Sequence, residues 1–368
     1  MKKSVTRRDV LKMSILTAGA IVPGASHSSG AIVSNHESHA ALGVPRGMPG
    51  KEGRVVWEHD PGAVIWKGQG FWWEDNNIVQ VRVDNMVLGG LKRLTDTSTA
   101  AAAWDALFRH FNRGGSGYRP GERVAIKVNL NNAGNPNDND ADATQHAVLA
   151  LLKTLIFDAG VPGGDITVYD ATHNPKFQRG KMPSRIIAYC RKQGGELLKV
   201  RWVDSYGENG AIMKELTGDI LTYSVAENNV CGKRIPTCLK EAKYLINMAL
   251  LKGHVTGGVT LTAKNHYGTI NPGKDHVYLD PLNTTVGPLP RYSPLVDIMA
   301  SSEIGQKTLL YVIDAILGAL QQQTVNTPWF TPPFNGHHTS SLLFSLDPVA
   351  IDSVAYDLLL HAYQDPRQ

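Results

Sequence analysis

Cysteine is scarce in this chain. Cys190, Cys231 and Cys238 are its three cysteines in 368 residues, and none sits in a Cys-x-x-Cys pair. That absence speaks against a thiolate-held iron–sulfur cluster and a structural zinc site. Cys231 and Cys238 bracket GKRIPT; they either close a small loop in an oxidising compartment or remain as two thiols. Cys190 reads as a core residue of a helix. Charge is also sparse, at 19% of residues, with a formal net charge of +4. Residues 1–31 account for that excess, because Lys2, Lys3, Arg7, Arg8 and Lys12 face Asp9 alone there. No long basic run or basic–aromatic patch follows, so no nucleic-acid partner is expected. Long apolar runs are missing as well. Ser14 to Val22 is too short for a permanent membrane helix, and no internal repeats are found.

What remains is globular in composition, with 42% hydrophobic residues. The length supports one large domain or two smaller ones. The expected division is residues 1–31 as an export signal, 32–120 as a lead-in of helices and extended chain, and 121–368 as an α/β domain. TRRDVLK, from Thr6 to Lys12, resembles the twin-arginine export signal, with Val10 where Phe is commoner. The resemblance implies a periplasmic or otherwise exported protein, the twin-arginine translocase as a partner, and cleavage between Ala25 and Ala31. That route carries folded proteins, often already loaded with a cofactor.

In the lead-in, VDNMVLGGLKRL and TSTAAAAWDALFRHFNRGG read as helices. The second has Asp96 or Thr97 as its cap, Ala103, Leu107 and Phe111 at helical spacing, and Gly114 as its stop. From Gly121 onward strands and helices alternate. VAIKVNL, DITVYD, LLKVRWVD, AKYLINMALL, TLLYVIDAI and SLLFSLD read as strands. Gln145 to Ala159, SRIIAYCRKQGG and DPVAIDSVAYDLLLHAY read as helices, the last capped by Asp347 with Pro348 at its first position. Apolar strands separated by helices predict an α/β fold with a mainly parallel, buried sheet and flanking helices.

Polar residues collect where these strands end: Asn129, Asp170 with His173, Asp204, Lys252 with His254, Asp314 and Asp347. Ligands of open α/β sheets bind outside those ends. The stretch LLKGHVTGGVTLTAKNHYGTINPGKDH adds three Lys-x-His pairs: Lys252/His254, Lys264/His266 and Lys274/His276. Two imidazoles can remove and return a proton near neutral pH. A lysine between them can hold an anion or attack a carbonyl. His173, His254 and Lys264 are therefore the candidate catalytic residues. Lys127, Asn129, Asp170, Lys252, Asn265, Asp314 and Asp347 are candidates for holding a substrate or cofactor. Lys274 reads as a solvated residue and His266 as a packed imidazole.

The pieces VAIKVNL, DITVYD, AKYLINMALLKGHVTGGVTLTAKNHYG, LLYVIDAI and LLFSLDPVAIDSVAYDLL resemble the family called domain of unknown function 362, over roughly residues 80–363. Many members carry a ferredoxin-like cysteine insert; this chain lacks it, so no iron–sulfur cluster is expected. DITVYDATHNP and the block from His254 to His276 bear a more distant resemblance to nickel-pincer-dependent lactate racemases. That likeness implies His173 and His254 as paired acid/base groups, Lys264 as the anchor of a nickel-containing or other metal cofactor, and His276 as a metal ligand. Asn174 departs from it, standing where that family has a basic residue. The expected function is acid/base chemistry on a small anionic substrate; the alternative is an anion- or metal-binding protein without turnover.

Two further stretches carry chemistry-bearing residues. NPNDNDADA places Asp138, Asp140 and Asp142 like the first ligands of a calcium loop, but Ala143 and Leu149 replace the turn glycine and the bidentate glutamate, which excludes an EF-hand. WKGQGFWWED, with Trp66, Trp72 and Trp73, reads as packing of the lead-in on the sheet.

Overall fold

The computed structural model describes residues 47–131, 138–172, 179–223, 232–254, 257–270, 294–321 and 327–368. His173, Asn174, Cys231, Lys274 and His276 lie outside the described residues, as does the export signal. Arg46–Gln368 is one compact unit.

The lead-in opens with strand β1 (Val55–His59), followed by helices α1 (Gln80–Thr95) and α2 (Ala100–Phe111). On α1, Val83, Met86, Val87, Leu91 and Leu94 recur at helical spacing and are buried. Gly90 lets α1 lie directly on Phe344, since a Cβ there would stand 2.3 Å from the ring. The cap of α2 is Thr99, whose hydroxyl accepts from Ala102 N–H at 3.1 Å. The expected caps are too early: Asp96 instead ends α1 in the left-handed region, at φ 56°, and its carboxylate pairs with Lys51 and Arg54. Gly114 follows α2 at φ 80°.

The α/β part contains β2 (Val124–Lys127), α3 (Gln145–Lys153), β3 (Ile166–Tyr169), α4 (Ser184–Arg191), β4 (Arg201–Asp204) and β5 (Ile212–Met213). It continues with α5 (Thr237–Glu241), β6 (Tyr244–His254), β7 (Gly258–Thr260), α6 (Thr262–Asn265), α7 (Pro294–Ala300), β8 (Thr308–Ala319), β9 (Ser341–Ser345) and α8 (Pro348–Gln364). A π-helical turn, Thr154–Asp158, prolongs α3 before Gly160. Gly195–Lys199 is a 3₁₀ turn, so β4 begins later than LLKVRWVD suggests. Cys190 is buried on α4, and Cys238 is a buried free thiol.

The described strands form one nine-stranded sheet in the order β1-β9-β8-β6-β2-β3-β4-β5, with β7 folded back on β6. The run from β8 to β5 is parallel; β9 is antiparallel to β8, and β1 to β9. The lead-in thus supplies the edge strand of the sheet. From β2 the chain builds outward through β3, β4 and β5. It then returns to place β6 on the other flank of β2 and continues to β8. The order therefore reverses between β2 and β6, and the carboxyl ends of those two strands border the crevice that such a reversal opens.

Two residues do not stand where the strand-end pattern puts them. Asp314 lies in the body of β8, opposite Leu250, and the strand runs on to Ala319. Asp347 follows β9, which is antiparallel. Ser345 pairs with Tyr311 near the start of β8, whereas Lys252 pairs with Ala319 at its end. Asp347 therefore sits at the other end of the strands from Lys252.

Candidate functional site

Lys127 is the last residue of β2, and Lys252 and His254 lie within the last turnings of β6 rather than after it. Asp170 follows β3 directly, and Lys264 and Asn265 end α6. Strand and helix ends thus bring Lys127, Asn129, Asp170, Lys252, His254, Lys264 and Asn265 to one crevice.

Asn265 is the hub. Its Oδ1 accepts from Lys127 Nζ at 3.3 Å and Asn129 Nδ2 at 3.4 Å. Its Nδ2 donates to Asn247 Oδ1 at 2.7 Å and to the Lys127 carbonyl at 3.4 Å. Asn247 in turn donates to the Thr262 carbonyl at 2.8 Å, which ties α6 to β6. A buried amide with both ends bonded fixes geometry at little cost. Asn247 is a site residue that sequence reasoning missed, because a polar residue inside an apolar strand run gives no strand-end signal.

The three lysines differ in how far their donors are used. An ammonium carries three N–H donors. Lys127 Nζ meets the Val128 carbonyl at 2.6 Å, Asn265 Oδ1 at 3.3 Å and Asp170 Oδ1 at 3.3 Å. Asp170 also accepts from Leu130 N–H at 2.8 Å and Thr172 N–H at 2.9 Å. Burial pushes the Lys127 amine down, and Asp170 opposes that. Lys127 is therefore a satisfied, structural cation. Lys252 is wholly buried and donates to Asn129 Oδ1 at 3.4 Å. Lys264 has no hydrogen-bond or ion-pair partner among the described residues. Unused donor capacity grows along the series from Lys127 through Lys252 to Lys264, whose residue is half-buried.

The electrostatics follow from this crowding. Burial brings Lys252 down to about 8; Asp142, Asp140 and Asp170 work against the shift and Arg179 adds to it. Lys264 falls to about 7 through burial and the like charges of Lys252, Arg179 and Lys127. His254 falls to about 3, by burial first and then by Lys264, Lys252 and Arg179. Its Nδ1 lies 3.0 Å from Gly257 N–H. Accepting there places the proton of the neutral ring on Nε2. Lys214 is a further cation that sequence reasoning missed. It donates to the Ala171 carbonyl, and burial lowers it to about 8 against Asp170 and Asp204.

The acidic loop of Asp138, Asp140 and Asp142 faces Lys252. The tryptophan stretch of the lead-in holds it there. Trp72 N–H donates to Asn139 Oδ1 at 2.9 Å, Trp72 Nε1 to the Asp140 carbonyl at 3.2 Å, and Trp73 Nε1 to the Asp138 carbonyl at 3.1 Å. Two glycines allow close approach. A Cβ on Gly268 would stand 2.6 Å from Thr172 Oγ1 and 3.0 Å from Lys127 Nζ. One on Gly257 would stand 3.2 Å from Lys264 Cε and 3.7 Å from His254 Nδ1, so those two side chains converge beside Gly257.

Asp314 offers no free oxygen to this crevice. It accepts from Thr144 N–H at 2.8 Å, Thr144 Oγ1 at 2.9 Å and Ile316 N–H at 3.2 Å, and so anchors the start of α3. Asp347 accepts from Val349 and Ala350 N–H at 2.9 and 3.1 Å, the cap of α8. His266 is buried, 3.4 Å from Thr308 Oγ1 and edge-on to Tyr311, a packed imidazole. A separate cavity of about 750 Å³ lies between β1 and α1. Among its charges, Arg82 pairs with Asp60 and Arg93 with Glu58.

The fold defines an α/β protein whose Lys127, Lys252 and Lys264 gather at the carboxyl ends of strands beside a topological switch point. The chain belongs to the family described as Domain of unknown function (DUF362), which matches residues 124–357, from the first residue of β2 into α8. No curated protein matches the chain. No described helix is long and apolar enough to cross a membrane.

Proposed function

We propose that this protein is an exported enzyme that performs acid/base chemistry on a small anionic molecule held in the crevice between β2 and β6. The observation that carries the reading is the convergence of Lys127, Lys252 and Lys264, from two strands and a helix, with donor capacity left open on Lys252 and Lys264. Buried cations without full partners favour an incoming anion, which replaces the water they have lost. In this reading Lys252 and Asn129 hold the anionic group. Lys264, close to half-neutral at pH 7, exchanges the proton. His254 donates through Nε2–H to negative charge that develops on the substrate. His173 is the second acid/base group implied by the racemase likeness. The same likeness makes Lys264 a cofactor anchor and His276 a metal ligand. No three His, Cys, Asp or Glu side chains come together as ligands among the described residues, and the proposed steps use the chain's own groups alone.

The test is solvent exchange. Small hydroxy and oxo acids are incubated with the protein in D₂O and followed by NMR for deuterium beside the carboxylate. Exchange that Lys264→Met abolishes supports the reading. If no such acid exchanges and none alters the melting temperature, the reading fails. A second reading, a binding protein without turnover, is favoured by the depressed His254 imidazole, which stays neutral throughout the physiological range. It predicts binding without exchange. Export is tested apart from chemistry: with Arg7 and Arg8 changed to Lys, the protein should stay in the cytoplasm.

A further inference from the structure

We propose that Lys264 is a nucleophile that forms an imine with the carbonyl carbon of a 2-oxo acid whose carboxylate is held by Lys252. The proposal rests on the anion-binding reading above and narrows its substrate class to molecules that carry a carbonyl beside the anionic group.

The geometry sets Lys264 apart from the other lysines of the crevice. Lys127 is saturated by three acceptors, Lys214 is bonded to the Ala171 carbonyl, and Lys252 to Asn129. Lys264 meets no acceptor among the described residues. Its stem runs against the backbone of Gly257, where Cδ and Cε come within 3.3 and 3.2 Å of where a Cβ would stand. That contact delivers the amine beside His254. Burial first, and then the like charges of Lys252, Arg179 and Lys127, favour its neutral form, which carries the lone pair. The helix α6 that carries it is held at its start by Asp352, which accepts from Thr262 N–H and Ala263 N–H at 2.8 and 3.0 Å. The amine is thus positioned, unprotonated in good part, and without an acceptor among the described residues.

The step balances without an added oxidant or reductant. The lone pair of Nζ forms a bond to the carbonyl carbon, and the π pair moves to oxygen, which takes a proton. The nitrogen gives up its protons as the hydroxyl leaves as water, and the C=N bond forms. His254 Nε2–H stabilises the oxyanion before it is protonated. The imine then withdraws electrons from the neighbouring carbon and makes its C–H more acidic, the same class of chemistry in covalent form.

The experiment is reductive trapping on the full chain. Pyruvate or glyoxylate is added with borohydride, and the labelled peptide is identified by mass spectrometry. Lys264 is expected to label roughly 100-fold faster than Lys243, an exposed lysine pushed the opposite way by Glu122. Lys264→Arg keeps the charge and removes the nucleophile; it is expected to bind pyruvate in calorimetry and to give no adduct in the crevice. Pyruvate binding with Lys264 labelled no faster than Lys243 overturns the imine while leaving the anion reading intact. Failure to bind pyruvate, glyoxylate or sulfate at all overturns both.

Discussion

Asp352 caps a helix that is not its own. From α8 it accepts from Thr262 N–H at 2.8 Å and Thr262 Oγ1 at 2.7 Å, and so sets the first turn of α6. Lys264 and Asn265 stand two and three residues further on. Burial raises Asp352 to about 6. Asp352→Ala strips three hydrogen bonds from a buried helix start and is expected to destabilise the protein by roughly 1–3 kcal/mol. Anion affinity should fall with it. Asp352→Asn, which can still accept, should recover most of the stability. Urea titration and calorimetry on the two variants separate the effects; unchanged affinity in the alanine variant would show that α6 is set by other contacts.

Gly268→Ala is a packing test of the Lys127–Asp170 pair. The new Cβ would meet Thr172 Oγ1 at 2.6 Å and Lys127 Nζ at 3.0 Å. A loss of about 1–3 kcal/mol is expected from overpacking. Adding Thr172→Ala removes the nearest clash and should restore part of the loss. A double variant no better than the single one would place the strain elsewhere.

The pH dependence follows from lysines held below their ordinary range. In the unfolded chain Lys264 stays protonated to about 10.4, whereas in the folded protein it loses its proton at about 7. Between those values the unfolded state binds the extra proton, so stability rises with pH there. The penalty is fully present below pH 7. Lys264→Met should therefore be more stable than the parent at pH 6 by about 2–4 kcal/mol, and the gap should close toward pH 10. Anion binding reverses the sign. It favours the charged amine, so affinity should fall as pH rises from 7 to 9. Denaturation midpoints and calorimetry across that range check both slopes, and a pH-independent gap would contradict the burial of this amine and its crowding by Lys252, Arg179 and Lys127.

Asp347→Ala should cost about 0.5–2 kcal/mol through the lost cap of α8. Anion affinity should be unaffected, because Asp347 stands at the other end of the strands from Lys252. A clear drop in anion affinity in Asp347→Ala would bring Asp347 back into the site.

Much of this was legible in the chain itself. Apolar runs such as AKYLINMALL and TLLYVIDAI are buried strands because period and composition leave no other place for them, and the stops at Gly114 and Gly160 follow from glycine's access to positive φ. Lys252 and His254 were visible as polar residues at the end of such a run, and Lys264 through its Lys-x-His pair. The tertiary structure decided what pattern cannot carry. Strand direction is set by pairing across the sheet, so Asp347 and Lys252 look alike in sequence and stand at opposite ends in space. Hydrogen-bond capacity is used up unevenly: the Val128 carbonyl, Asn265 and Asp170 saturate Lys127 while Lys264 meets no acceptor among the described residues, and Asp314 is consumed by Thr144. Residue type is local and readable. Which donors remain unused, and which charges crowd one another, is a sum over contacts that exist after folding.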